Sequence, residues 1–153
     1  MLAKEVMQRQ VISVPVDTPI KELAALMLKH NISGIPVVND IGTVLGVVSE
    51  FDLMRKEIQP NEPTLWQICI WGISGNDMLE EHEDALRKCM ANTAGDIMTS
   101  PAITVEETDD LENVGNLMFS KKIKRVFVTR NGKLVGVISR SAFTKLLLDG
   151  ENI

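Results

Sequence analysis

Ser49 and Asp52 stand three residues apart in GVVSEFDLMRK, Gly46 to Lys56, where a short apolar run stops and a helical pattern begins. A serine at that point reads as a helix N-cap. A carboxylate three residues past the cap, beside the hydroxyl and the free amides of the first helical turn, suits a sugar diol with a phosphate close by. The same spacing is also a capping box, which stabilises a helix with no ligand at all. The stretch recurs as GVISRSAFTKL, Gly136 to Leu146, and there Ser139 matches Ser49 but Ala142 matches Asp52. The duplicate keeps the cap and lacks the acid, so the fold does not require the carboxylate.

Positive charge gathers in the second copy, as Lys121-Lys122-Ile123-Lys124-Arg125. Lys121 and Lys122 read as solvated cations at a helix end, where the macrodipole favours them. Lys124 and Arg125 lie at the entrance of the next strand, and the planar fork of Arg125 makes it the better phosphate ligand. Arg140, one residue past Ser139, is a secondary candidate for the same task. His30 and His82 belong to no ligand-spaced cluster, so no metal site is expected. There is no Gly-rich phosphate loop. No serine, cysteine or carboxylate constellation supports nucleophilic or acid-base catalysis, so the chain does not read as an enzyme.

The elements that position these residues come in two copies. Val6 to Val38 aligns with Ile97 to Thr129 at a constant offset of 91, pairing Met7 with Met98 and Ile32 with Ile123. The helix-face residues Ile20, Leu23 and Met27 meet Leu111, Val114 and Met118 in the same register. Each copy predicts a short strand (Val11 to Val14, Ile103 to Val105) and then a helix of about three turns. The helix starts are placed at Asp17 or Thr18 before Pro19, and at Thr108 before Asp109 and Asp110; the ends fall near Asn31 and Lys122. Two β-rich runs follow, IPVVN with VLGVVS and RVFVTR with LVGVIS, and then a final helix. Asn131-Gly132 is a strong hairpin signal. The first copy has Asn39-Asp40-Ile41-Gly42 there, one residue longer, so the offset falls to 90 beyond it. The expected fold is α+β: two β-α-β-β-α repeats, 1–56 and 96–153, packed sheet to sheet about a pseudo-twofold axis over one shared core.

Residues 57–95 have no counterpart in this scheme. Pro60, Asn61 and Pro63 break the preceding helix, and TLWQICIWGIS carries Trp66 and Trp71. A helix is expected from Asp77, with Glu80 at capping-box spacing. The plain expectation is that the insertion packs on its own module or across a dimer contact; the alternative is that the tryptophans anchor a partner. Composition sets the outer limits. A chain of 153 residues with 44% hydrophobic and 24% charged residues is ordinary for a soluble domain. A net charge of −5 argues against nucleic-acid binding over a broad face. The N-terminus MLAKEVMQRQ is too charged for a signal peptide, and no run is long enough to span a membrane, so a cytoplasmic protein is expected. Cys69 and Cys89 form no disulfide framework.

The two hydrophobic-Met starts (Glu5-Val6-Met7, Asp96-Ile97-Met98), the ISGIPVV and IKRVFVT strands and the GVVSEFD and GVISRSA segments together resemble a tandem pair of CBS domains, the Bateman module. The resemblance implies a regulatory module that binds AMP, ADP, ATP or S-adenosylmethionine between its halves, forms a homodimer and reports occupancy to a regulated protein. The nucleotide is then a regulatory ligand, and no cofactor is implied. By the same resemblance Asp52 holds the ribose hydroxyls and Ser49 lies near the phosphates. Gln10, Val11, Ile35 and Pro36 surround the purine. Ser33-Gly34 in one copy, and Lys124-Arg125 in the other, stand where the family often carries basic residues that reach phosphate; Ser139 and Arg140 are the secondary positions. The rival expectation is a ligand-free structural or dimerisation module that docks a partner through the insertion.

Overall fold

The computed structural model describes residues 1–58 and 93–150. The helix expected from Asp77, Trp66, Trp71, Cys69, His82 and Cys89 lie outside the described residues. Along the chain run α1 (Ala3–Val6), α2 (Ile20–His30), β1 (Gly34–Val38), β2 (Val44–Ser49), α3 (Glu50–Ile58) and α4 (Ala94–Ile97). After these come β3 (Thr104–Glu106), α5 (Leu111–Ser120), β4 (Arg125–Arg130), β5 (Lys133–Ser139) and α6 (Arg140–Gly150). The fold is α+β with two small sheets, one of β1 and β2, the other in the order β3-β4-β5. β3 runs parallel to β4, and β4 pairs antiparallel with β5 from Arg125 opposite Ser139 to Arg130 opposite Lys133.

The repeat seen in the sequence returns as paired local geometry. α2 ends with Asn31 at φ 50°, and α5 with Lys122 at φ 54°. Beyond each, the next amide closes back on the helix: Ile32 N–H donates to the Met27 carbonyl at 3.0 Å, Ile123 N–H to the Met118 carbonyl at 3.1 Å. This six-to-one closure needs a left-handed residue, which asparagine tolerates better than lysine does. Lys122→Gly should therefore raise stability by about 0.5–1 kcal/mol in denaturant unfolding, the relief of left-handed strain exceeding the extra entropy of an unfolded glycine. Asn131 and Gly132, at φ 53° and 78°, form the expected tight hairpin turn. In the longer first turn, Asn39 Oδ1 accepts from Ile41 N–H at 3.2 Å and Thr43 N–H at 2.9 Å.

Two local expectations change. The run Val11 to Val14 is not a strand: Val14 alone bridges Val37, and Pro15, which has no N–H to give, follows it. Its partner strand lies one residue later than expected, at Thr104–Glu106. The helix starts also move. Pro19 is the N-cap of α2, and Thr18 is buried with its hydroxyl donating to the Pro15 carbonyl at 2.9 Å. Asp110 caps α5 by accepting from Glu112 N–H at 2.9 Å.

The chain divides into two compact units that are not contiguous in sequence. The first, here the Asp52 unit, is Val14–Val37 with the described part of Gly46–Ser100; the second, the Arg125 unit, is Met1–Ser13, Val38–Leu45 and the described part of Pro101–Ile153. Each unit thus takes its opening segment from the other repeat. In the Arg125 unit, Gln8 bridges Val137, and Ala3 and Met7 join Val105, Leu111, Val114, Met118, Val126, Val128 and Ile138 in the core. In the Asp52 unit, Thr99 bridges Val47, and Ala94 joins Val14, Leu23, Met27, Ile35, Val37 and Val48. Most of the buried hydrophobic residues fall into these two clusters, one in each unit. Equivalent glycines admit the exchanged segments. A Cβ on Gly46 would lie 2.7 Å from Met98 Sδ and 2.8 Å from the Thr99 carbonyl oxygen; one on Gly136 would lie 2.5 Å from Met7 Sδ.

Candidate functional site

In the Asp52 unit, β2 delivers Ser49 to the start of α3, and the side chain of Asp52 folds back over it. Ser49 N–H donates to Asp52 Oδ2 at 2.8 Å, and Ser49 Oγ donates to the same oxygen at 2.9 Å. Asp52 N–H returns a bond to Ser49 Oγ at 3.2 Å. The pair is a reciprocal capping box, the structural role the spacing allowed. Its geometry also has a chemical consequence. Oδ2 is tied twice, so the carboxylate plane is fixed; Oδ1 receives no hydrogen bond among the described residues and remains an acceptor. The Ser49 hydroxyl proton is already directed at Asp52, which leaves that hydroxyl only as an acceptor toward a further group.

The strand before this site begins at Gly34. Gly34 and Pro36 are buried, and Ile35, at 0% exposure, sits within the core cluster of the unit. Glu50 N–H donates to the Ser33 carbonyl at 3.0 Å, which pins the first residue of α3 to the residue before β1. Gly34, Ile35, Pro36, Ser49 and Asp52 therefore belong to one unit. Gln10 and Val11 do not: they fall in the Arg125 unit with Lys124, Arg125, Ser139 and Arg140. Gln10 is exposed there and Val11 half-buried.

In the Arg125 unit, Arg140 N–H donates to the Lys124 carbonyl at 3.2 Å, the counterpart of the Glu50–Ser33 bond. Arg140 Nε also reaches the Ile123 carbonyl at 3.4 Å. Arg125 opens β4 opposite Ser139, and Lys124 and Arg140 are exposed. Ala142 provides no carboxylate, and the Ser139 hydroxyl pairs instead with Ser141 Oγ at 2.6 Å. Two participants were absent from the sequence reading. Glu50 was detectable, because the offset of 90 that aligned Ser49 with Ser139 also aligns it with Arg140. The Ser139–Ser141 pair, two residues apart, follows no capping spacing and had no sequence signal.

Away from these positions, Arg130 forks onto Glu107, with Nε to Oε1 at 2.5 Å and a terminal nitrogen to Oε2 at 2.7 Å. That hydrogen bonding, with the positive charges of Arg130, Lys4 and Arg9, holds the Glu107 carboxyl below its ordinary range. Among the described residues no group of three or more His, Cys, Asp or Glu is placed to hold a metal ion, and no helix is long and apolar enough to cross a membrane.

A family model for the CBS domain matches residues 3–58 and again residues 94–149. An uncharacterized protein of Methanocaldococcus jannaschii, MJ1426, is 26% identical over 155 residues, covering 97% of this chain and 92% of the relative. The chloroplastic CBS domain-containing protein CBSX1 of Arabidopsis thaliana is 29% identical over 142 residues, covering 86% of this chain; that match spans 56% of the plant protein, about half its length. Among solved structures, CBSX2 in complex with AMP superposes with a TM-score of 0.78 at 23% identity, covering 99% of each chain. The CBS domain pair of protein MJ0100, in complex with 5′-methylthioadenosine and S-adenosyl-L-methionine, gives 0.72 at 20% identity, covering 98% of each. With two family matches that together span more than half the sequence, on a fold shared with such pairs, the chain belongs to the CBS-domain family as a tandem pair of its repeats.

Proposed function

We propose that this CBS pair is a non-catalytic regulatory module whose ligand contains adenosine, with Asp52 as the residue that holds the ribose. The observation that carries the reading is the Ser49–Asp52 geometry. One carboxylate oxygen is locked by two donors of Ser49, and the other is presented as an acceptor in a fixed direction. A ribose diol supplies two hydroxyl donors to such a group, each bond strengthened by the negative charge. The AMP of CBSX2 and the 5′-methylthioadenosine and S-adenosyl-L-methionine of MJ0100 support adenosine as the common moiety. Regulation then requires that the ligand bind two arrangements of the protein with different affinity, since equal affinity shifts nothing. A homodimer and a separate regulated protein are part of this proposal, as are repeat boundaries at 1–56 and 96–153 around the 57–95 insertion.

A ligand-free structural module is the second reading. What favours it is that the capping box is complete by itself, and that Phe51 and Met54 on α3 are 63% and 52% exposed. Thermal unfolding separates the two. An adenosine ligand present at a hundred times its dissociation constant adds about 2.7 kcal/mol of stability. Titration with AMP, ADP, ATP and S-adenosylmethionine should give that increment for at least one of them; no shift with any of the four leaves the structural module standing.

A further inference from the structure

Resting on the adenosine reading above, we infer that the two units are opposite in charge at equivalent positions. The Asp52 unit then selects adenosine compounds without a 5′-phosphate, and the Arg125 unit selects phosphorylated ones. The positions are matched by geometry as well as by sequence. Glu50 N–H meets the Ser33 carbonyl in one unit, and Arg140 N–H meets the Lys124 carbonyl in the other. Gly34 opens β1 where Arg125 opens β4. Asp52 and Ala142 stand three residues beyond Ser49 and Ser139. At these four places the Asp52 unit has Ser33, Gly34, Glu50 and Asp52, two carboxylates and no cation; the Arg125 unit has Lys124, Arg125, Arg140 and Ala142, three cations and no carboxylate.

Both units present a helix start after a serine, so that feature does not discriminate between ligands. The side chains do. A 5′-phosphate brought next to Glu50 and Asp52 meets like charge, and none of the equivalent positions in that unit supplies a cation to offset it, whereas a thioether is neutral and a sulfonium is attracted. In the Arg125 unit the same phosphate meets the positive charges of Lys124, Arg125 and Arg140, and a guanidinium suits phosphate better than an ammonium does. That unit has no Asp52 equivalent to hold a ribose diol, so its affinity should follow phosphate number more than the nucleoside.

Calorimetric titration of the full chain tests this with 5′-methylthioadenosine, AMP, ATP and inorganic tripolyphosphate. Two variants are compared with the parent: Asp52→Ala, and the double replacement Lys124→Ser with Arg140→Glu. The latter introduces the residues of the equivalent positions at two exposed sites, so the fold tolerates it, and an unchanged unfolding midpoint without ligand verifies this. The expected result is that Asp52→Ala weakens 5′-methylthioadenosine by about tenfold or more and leaves tripolyphosphate unchanged. The double replacement should weaken ATP and tripolyphosphate by about tenfold or more and leave 5′-methylthioadenosine unchanged. Raising salt should weaken ATP and tripolyphosphate while sparing 5′-methylthioadenosine. If each variant weakens 5′-methylthioadenosine and ATP alike, the adenosine reading stands and the division by charge is overturned. If no adenosine compound binds the parent chain, the adenosine reading falls and takes this inference with it.

Discussion

Met7→Ala should destabilise the Arg125 unit by about 2–4 kcal/mol, although Met7 belongs to the first repeat. Met7 is 8% exposed and packs in the core built mainly from β3 to β5 and α5. Truncation removes the thioether that lies over Gly136 and leaves a cavity at the strand of the other repeat. Amide exchange should therefore accelerate first in β4 and β5, and a loss of protection confined to Val14–Val37 would contradict the exchanged organisation. Gly136→Ala sharpens the test. Its new methyl would lie 2.5 Å from Met7 Sδ and 2.8 Å from Met7 Cγ, so alone it should cost about 1–3 kcal/mol. Combined with Met7→Ala, which removes both atoms, the costs should fall short of their sum by about 1 kcal/mol or more. Simple additivity in denaturant titrations would show that the two residues do not touch. Gly46 offers no such relief, because its methyl would also meet the Thr99 carbonyl oxygen at 2.8 Å.

Asp52→Ala should have two separable effects. Without ligand it removes the acceptor for Ser49 N–H and Oγ, the returning half of the capping box, while the cap bond from the backbone of residue 52 to Ser49 Oγ stays, so the cost should be about 0.5–1 kcal/mol. With 5′-methylthioadenosine it removes both ribose bonds as well, and the stabilisation of about 2.7 kcal/mol at a hundredfold excess over the dissociation constant should fall by about half or more. Ala142→Asp runs the experiment in reverse. It supplies the missing acid three residues past Ser139, where Ser141 Oγ is now the partner of that hydroxyl. A gain in stability with no gain in nucleoside affinity would mean that the carboxylate is a cap only. Full retention of the ligand shift in Asp52→Ala would rule out its ribose role.

Much of the local design was legible in the sequence, because it depends on residues within a few positions of one another. The Asn131-Gly132 turn, the amphipathic faces of α2 and α5 and the Ser49–Asp52 spacing each announce a short-range geometry, and each is found. Local reading failed where a neighbour overruled it. Val11 to Val14 has strand composition, yet Pro15 and the single bridge to Val37 end the pairing. Thr18 has cap chemistry, yet it turns inward onto Pro15 and leaves Pro19 at the helix start.

The duplication, the type and order of most elements and the loss of the acid at Ala142 are all written in the residues themselves. Which segment completes which unit follows from packing between distant parts of the chain. The bridges from Gln8 to Val137 and from Thr99 to Val47 join residues far apart in the chain, and backbone pairing of that kind leaves no periodic trace in either segment. Met7 next to Gly136 and Met98 next to Gly46 are equally silent, since a glycine records that something approaches closely but not what does. That exchange is also why Gln10 and Val11 are members of the Arg125 unit: a constant repeat offset aligns equivalent residues, whereas packing decides which unit each one joins.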